Sequence, residues 1–197
     1  MDWRYPLTNC IYRPISRPLA GLLATHAVTP NSVTYVTGLL GIAAGLLFAT
    51  GFLLLGLAFT FLTMVLDCVD GDLARIRSMA TRRGSYLDSF LDRVVDAALV
   101  LGLVVADPTH LSLIGGFTLT GMFLVSYSRT KAEAVGVDCR VGLATRDVRL
   151  LIIFVAVIAS LLYAEAIYYA FLVLMMASFG TAVHRAAYSM KALSSKE

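Results

Sequence analysis

The sequence predicts an all-α integral membrane protein with six transmembrane helices and an N-terminal amphipathic helix at the membrane interface. Three observations carry this expectation. The 197 residues are 58% hydrophobic and only 15% charged, with a mean hydropathy of +0.79, too apolar for an ordinary soluble domain. From Pro18 through Leu66 no Asp, Glu, Lys or Arg occurs, a stretch longer than the roughly 20 residues that one span requires. The Lys and Arg residues other than Arg93, finally, cluster at alternate connections and the span ends beside them, as positive-inside topology demands. With no internal repeat, low-complexity tract or long linker, residues 1–197 read as a single membrane domain.

The elements follow in order. Asp2, Arg4, Arg13 and Arg17 interrupt the N-terminal segment, and Pro6, Pro14 and Pro18 punctuate it. No small-residue cleavage site follows an apolar core, so the segment does not read as a cleaved signal. A short amphipathic helix around 7–24, lying on the cytoplasmic surface, fits better. Gly51 divides the uncharged run into helices near 31–50 and 52–76, and further spans are expected near 85–106, 109–133, 147–163 and 166–189. The third and fifth are the least regular. The third carries aspartates and Arg93 in its first half, and the fifth has an uncharged core only from Leu150 to Ala164. The alternative is four spans plus buried helices.

Charge placement favours six. Arg4, Arg13 and Arg17 precede the first span, and Arg75, Arg77, Arg82 and Arg83 join the second to the third. Arg129, Lys131, Arg140, Arg146 and Arg149 lie between the fourth and fifth, while Arg185, Lys191 and Lys196 close the chain. The opposite connections, around Gly51, Asp107 to His110 and Glu165, contain no Lys or Arg. Both termini and the aspartate-bearing loop are therefore expected in the cytoplasm of a multi-pass cell-membrane protein. The net charge of +3 is an orientation signal and not a nucleic-acid footprint. Cys10, Cys68 and Cys139 fall on or near the same side, where disulfides are not expected.

Function is written around four aspartates in the pattern D-x2-D-G-x2-A-R-x8-G-x3-D-x3-D, from Asp67 to Asp92. Carboxylates next to membrane spans are costly and mark functional sites by default. Asp67 and Asp70 are three apart and Asp88 and Asp92 four apart, so on helices each pair projects from one face. Two such pairs on adjacent helices would repel strongly unless cations neutralised them. An all-oxygen donor set without nearby His or Cys favours Mg²⁺, Mn²⁺ or Ca²⁺ over zinc or copper. Cys68 points around the helix from the Asp67/Asp70 face and reads as a small packing residue.

A two-metal carboxylate site at the cytoplasmic membrane edge suits phosphoryl transfer. Metal ions stabilise diphosphate oxygens as a phosphoryl bond breaks, while a further carboxylate accepts a proton from the attacking alcohol. Gly71 would permit close approach of a ligand, or of another helix, and Gly84 opens the third span. Rival readings are a proton or cation pathway in a transporter and a membrane prenyltransferase. The first does not need this glycine and arginine spacing, and the second would have more spans.

The stretch from Asp67 through Asp70, Gly71, Ala74 and Arg75, then Gly84, Asp88 and Asp92, resembles the CDP-alcohol phosphotransferase signature at every fixed position. Thr29-Pro30-Asn31-Ser-Val-Thr34, before the first span, extends the likeness more loosely. The resemblance implies transfer of a substituted phosphate from a CDP-linked donor to an alcohol, with release of CMP. It implies that Asp67, Asp70, Asp88 and Asp92 hold two divalent cations, Mg²⁺ or Mn²⁺, with Asp92 also the general base. It further implies a CDP site built from Asp67, Asp70, Gly71, Ala74, Arg75, Gly84 and Asp88, with Pro30 and Asn31.

The segments Ser126 to Glu133 and Gly142 to Arg149, with Arg185, are similar to the subgroup that uses inositol phosphate as acceptor. By that resemblance Arg129, Lys131, Arg146, Arg149 and Arg185 would bind the acceptor phosphate. Their alternative role is anchoring at the headgroup layer. The expected partners are a CDP-linked lipid donor (CDP-diacylglycerol or CDP-archaeol), a phosphorylated polar alcohol, most simply inositol 1-phosphate, and membrane lipid. Glycerol 3-phosphate or serine as acceptor, or CDP-inositol as donor, are the alternatives within the same chemistry. A homodimer is expected from the family and from Gly41 and Gly45, whose spacing would equally serve packing within one chain. Asp96 is expected to pair with Arg93 or another cation.

Overall fold

The computed structural model describes residues 12–194, and these form seven α-helices: α1 (Arg13–Ala24), α2 (Pro30–Ala49), α3 (Leu53–Ile76), α4 (Arg82–Ala106), α5 (Pro108–Ala134), α6 (Arg146–Ser160) and α7 (Ala166–Ser194). Each expected span has its helix. The N-terminal helix is present from Arg13, while residues 7–11 of that expectation, with Cys10, lie outside the described residues. Among the described residues, Cys68 and Cys139 take part in no disulfide.

Four helices, α2, α3, α5 and α7, are long and apolar enough to cross a membrane by length and composition. The other two expected spans differ for separate reasons. Helix α4 is long enough but carries Arg82, Arg83, Asp88, Asp92, Arg93 and Asp96 between its start and its middle turns. Helix α6 has 15 residues, about 22 Å, against a hydrocarbon core of about 30 Å.

The chain divides into two compact units at Ala106/Asp107. In the first, α2 packs against both α3 and α4, and α1 packs against α3. Helix α2 begins where Thr29 caps it, its hydroxyl accepting from the Ser32 amide at 3.2 Å with Pro30 at the first helical position. It ends at Gly51, whose φ of +82° allows the reversal into α3. Gly41 and Gly45 face α4. A Cβ at Gly41 would overlap the Val95 side chain, and one at Gly45 would overlap the Ala98 carbonyl. Gly102 of α4 packs in turn on the Gly45 carbonyl. The glycine pair is thus used for packing inside the unit, which removes it as evidence for a dimer.

Helix α1 runs beside the second half of α3 in the same direction. Tyr12 donates to the Met64 sulfur at 3.6 Å, Ser16 to Asp72 at 2.8 Å, and Arg77 reaches back to the end of α1. There the Arg77 guanidinium donates to the carbonyls of Ala24 (2.8 Å), His26 and Val28 (2.6 Å). Helix ends leave such carbonyls unsatisfied and carry partial negative charge, so a cation in this place both bonds and neutralises them. The clamp fixes the connection that leads into Pro30.

In the second unit, α7 packs against α5 and α6. Asp107 caps α5 through the His110 amide at 3.3 Å, and the His110 side chain holds the Asp107 carboxyl below the usual carboxylate range. Helix α5 ends in a Schellman turn, with Gly136 at φ +78° and the Val137 amide donating to Ala132. Val137 and Cys139 then pack with Ala132, Ala192 and Leu193, so the last turns of α7 hold the start of the α5–α6 connection.

Candidate active site

Helices α3 and α4 bring three of the four predicted metal-binding aspartates together. One carboxylate oxygen from each of Asp67, Asp88 and Asp92 lies within 4.8 Å of the other two, and all three side chains are partly buried. Helical spacing explains the placement of Asp88 and Asp92, which stand one turn apart on α4, facing Asp67 on α3. Three acidic groups at this separation repel one another outside water, and an all-oxygen set of this kind fits a hard divalent cation. Arg93 supplies partial compensation from the side, with Nη2 3.5 Å from Asp92 and Nε 3.6 Å from the buried Asp96. The expected pairing of Asp96 with Arg93 is therefore present.

Asp70 stands apart from this trio. It is buried, with Asp67 and Asp88 as charged neighbours, and its Oδ2 accepts a 2.7 Å hydrogen bond from Thr34 Oγ1 on α2. A buried carboxylate requires such donors.

A cavity of about 270 Å³ opens beside Asp70 and Asp88, close to the lower end of the range for small-molecule sites. Its walls contain Pro30, Asn31, Asp70, Gly71, Ala74, Arg75, Gly84 and Asp88, eight of the nine residues expected at a CDP site. Asp67 is the exception, since it belongs to the carboxylate trio and does not line the cavity. Thr34, Met79, Ala80, Thr81 and Ser85 complete the lining. Of these, the sequence marks only Thr34, as the end of the Thr29–Thr34 stretch, and gives none of them a role at the site. Thr34 follows Pro30 by one helical turn, and that periodicity was the available signal.

The two motif glycines are explained differently. A Cβ at Gly71 would touch only the Arg75 guanidinium, at 3.7 Å, so no helix packing requires glycine there and the open space belongs to the cavity. A Cβ at Gly84 would lie 3.0 Å from Asn31 Oδ1 and 3.2 Å from Thr81 Oγ1, so glycine lets Asn31 sit over the start of α4. Thr81 caps that start by accepting from the Gly84 amide at 3.0 Å. Arg75 is held by Asp72, Nη2 to Oδ1 at 2.5 Å.

All five expected acceptor cations belong to the second unit. Arg185 is buried and donates to the carbonyls of Val141 (2.8 Å) and Val125 (2.6 Å), and buried Arg149 donates to Ala144 at 3.0 Å. The Ala144 amide donates to Thr181 Oγ1 at 3.1 Å, so both arginines and α7 shape the segment before α6. Arg129 pairs with Glu133 at 2.8 Å, Arg146 is partly buried at the start of α6, and Lys131 is exposed.

Comparison with known proteins agrees with this geometry. The profile of the CDP-alcohol phosphatidyltransferase family matches residues 27–183. The archaetidylinositol phosphate synthase of Methanothermobacter thermautotrophicus is 35% identical over 152 residues, 77% of each chain. The phosphatidylinositol phosphate synthase of Mycobacteroides abscessus is 34% identical over 160 residues, 78% of this chain and 73% of that one. Crystal structures of the Mycobacterium tuberculosis phosphatidylinositol phosphate synthase superpose with a TM-score of 0.82 with CDP-DAG bound and 0.83 in complex with manganese and citrate. Both are 28% identical and cover 89% of this chain, and this chain covers 94% and 88% of theirs. With the signature complete and the match running over most of its length, the chain belongs to the CDP-alcohol phosphatidyltransferase family.

Proposed function

We propose that this enzyme transfers the substituted phosphate of a CDP-linked lipid, CDP-diacylglycerol or CDP-archaeol, to inositol 1-phosphate and releases CMP. The observation that carries the reading is the convergence of Asp67, Asp88 and Asp92 beside a cavity lined by the rest of the signature. The named activities of the relatives support the inositol phosphate acceptor.

Asp67, Asp70, Asp88 and Asp92 would hold two divalent cations, Mg²⁺ or Mn²⁺. Such ions, when bound, neutralise the carboxylates and stabilise negative charge on diphosphate oxygens. Pro30, Asn31, Gly71, Ala74, Arg75 and Gly84 would receive the CDP moiety in the cavity, Gly71 leaving room for close approach and Arg75 offering a charged donor to phosphate. Asp92 would take the proton of the acceptor hydroxyl. The hydroxyl oxygen then forms a bond to the phosphorus that carries the lipid alcohol, the bond from that phosphorus to the bridging oxygen breaks, and CMP leaves with that oxygen. Arg129, Lys131, Arg146, Arg149 and Arg185 would recognise the acceptor phosphate.

The finer architecture belongs to the same proposal. Helices α4 and α6 would complete six spans, their polar or short sections covered by protein rather than lipid. Helix α1, with Ser16 and Ala20 buried and Arg17 exposed, would lie at the cytoplasmic interface as an amphipathic element of a single functional domain. The Lys and Arg distribution supports cytoplasmic termini and a cytoplasmic site. A homodimer rests on the family resemblance alone.

The test is CMP release by the purified, detergent-solubilised protein given a CDP-linked lipid and Mg²⁺ or Mn²⁺. Inositol 1-phosphate, glycerol 3-phosphate, serine and inositol are compared as acceptors. Release that requires both metal and inositol 1-phosphate supports the reading in full. Release with serine or inositol, which carry no phosphate, overturns the assignment of the five cations, release with glycerol 3-phosphate alone overturns the choice of acceptor, and release only when CDP-inositol replaces the lipid overturns the donor.

A further inference from the structure

Asp72 lies within the signature at a position that the pattern leaves free, and its side chain is only 10% exposed. A carboxylate buried beside other carboxylates is costly, so its partners explain its presence. One oxygen, Oδ2, accepts from the fully buried Ser16 hydroxyl of α1 at 2.8 Å. The other, Oδ1, accepts from Arg75 Nη2 at 2.5 Å. The same guanidinium sits 3.7 Å from the place a Cβ would occupy at Gly71, on the cavity wall.

An exposed ion pair three residues apart on a helix is ordinarily worth little, because two mobile side chains must be ordered to form it. Here one partner is already fixed. Ser16 holds Asp72 from the far side, so only Arg75 loses freedom when the pair forms. Asp72 also gives Arg75 an anionic partner away from Asp70 and Asp88, which line the same cavity and would otherwise compete for its charge. The guanidinium is thereby kept beside Gly71 on the cavity wall instead of collapsing onto the carboxylates.

We infer that Asp72 is a positioning residue for the donor phosphates, acting through Arg75, and that Ser16 makes the docking of α1 part of the donor site. The inference rests on the reading of the cavity as the CDP site. Without Asp72, Arg75 loses its set orientation and donor affinity falls. Nothing in the acceptor's recognition changes.

The experiment measures donor KM and acceptor KM by CMP release from the full chain in detergent, for the wild type, Asp72→Asn, Arg75→Ala, Ser16→Ala and the two double variants that contain Arg75→Ala. Asp72→Asn is expected to raise donor KM about tenfold, as the loss of one charge-assisted hydrogen bond would. Ser16→Ala is expected to raise it by a smaller factor, with acceptor KM unmoved in both. In the Arg75→Ala background neither substitution should add to the effect, which a merely structural role would not reproduce. If Arg75→Ala raises donor KM while Asp72→Asn and Ser16→Ala leave it unchanged, or if the effects multiply, the positioning role is overturned and the CDP site stands. If Arg75→Ala itself leaves donor KM unchanged, the CDP assignment of this wall fails and the inference fails with it. Should Asp72→Asn not fold, the Ser16→Ala pair decides alone.

Discussion

Thr34 Oγ1 and Asp70 Oδ2 are 2.7 Å apart in a buried hydrogen bond that joins α2 to the signature helix α3. Thr34→Val keeps the shape and removes the donor, which should cost about 1–3 kcal/mol. A lower melting temperature in detergent, with reduced CMP release, is the expected result, and Thr34→Ser should restore both. Equal melting of Thr34→Val and wild type would show that the bond contributes nothing.

The carboxylate trio predicts a strict metal requirement. Protein dialysed against EDTA should release no CMP and should recover on addition of Mg²⁺ or Mn²⁺. Asp92→Asn should lower turnover by about 10²–10⁴-fold, the range for loss of a general base, without unfolding the protein. Turnover that survives either EDTA or Asp92→Asn would remove the cluster from the reaction.

Packing in the first unit can be tested at its closest approach. Gly45→Ala and Gly102→Ala each place a methyl group against backbone carbonyl oxygen, which cannot move aside as a side chain could. A loss of about 1–3 kcal/mol is expected for each, read as a lower melting temperature. Gly180→Ala, with nothing within 4 Å of the new Cβ, is the tolerated control. If all three melt alike, the helices separate more easily than this contact implies.

Among the basic residues, the structure separates those that build from those that are exposed. Arg185→Ala leaves the carbonyls of Val125 and Val141 without its guanidinium and should lower the melting temperature as well as acceptor affinity. Lys131→Ala should raise acceptor KM with no change in melting, since Lys131 is exposed. An unchanged acceptor KM for Lys131→Ala would leave it only an anchoring role.

The helices were legible because apolar runs and turn residues mark them directly. Gly51 and the Asp107–Pro108 step sit where one helix passes to the next. Span number was less legible, because hydropathy averages over residues that face opposite ways. The charges of α4 all lie between its start and Asp96, and α6 is short. The signature located the cavity well, since its residues recur at helical intervals on two helices. The pairings of Thr34 with Asp70, Asp72 with Ser16 and Arg77 with the end of α1 were not legible, because the partners are distant in sequence. No local pattern encodes such pairings. The sequence places Arg149 and Arg185 at the acceptor phosphate or the headgroup layer and gives no sign that both are buried on the carbonyls of Ala144, Val125 and Val141.

Helix α2 carries none of the four signature aspartates, yet it packs against both helices that do. The distance between Asp67 on one side and Asp88 and Asp92 on the other is therefore gauged by a third party, through the flat glycine face turned to α4 and the opposite contacts with α3. Sequence drift on α2 that never touches an acidic residue would still change how far apart the three carboxylates stand. The spacing of the acidic trio is, in that sense, written partly in the smallest side chains of a helix that carries none of it.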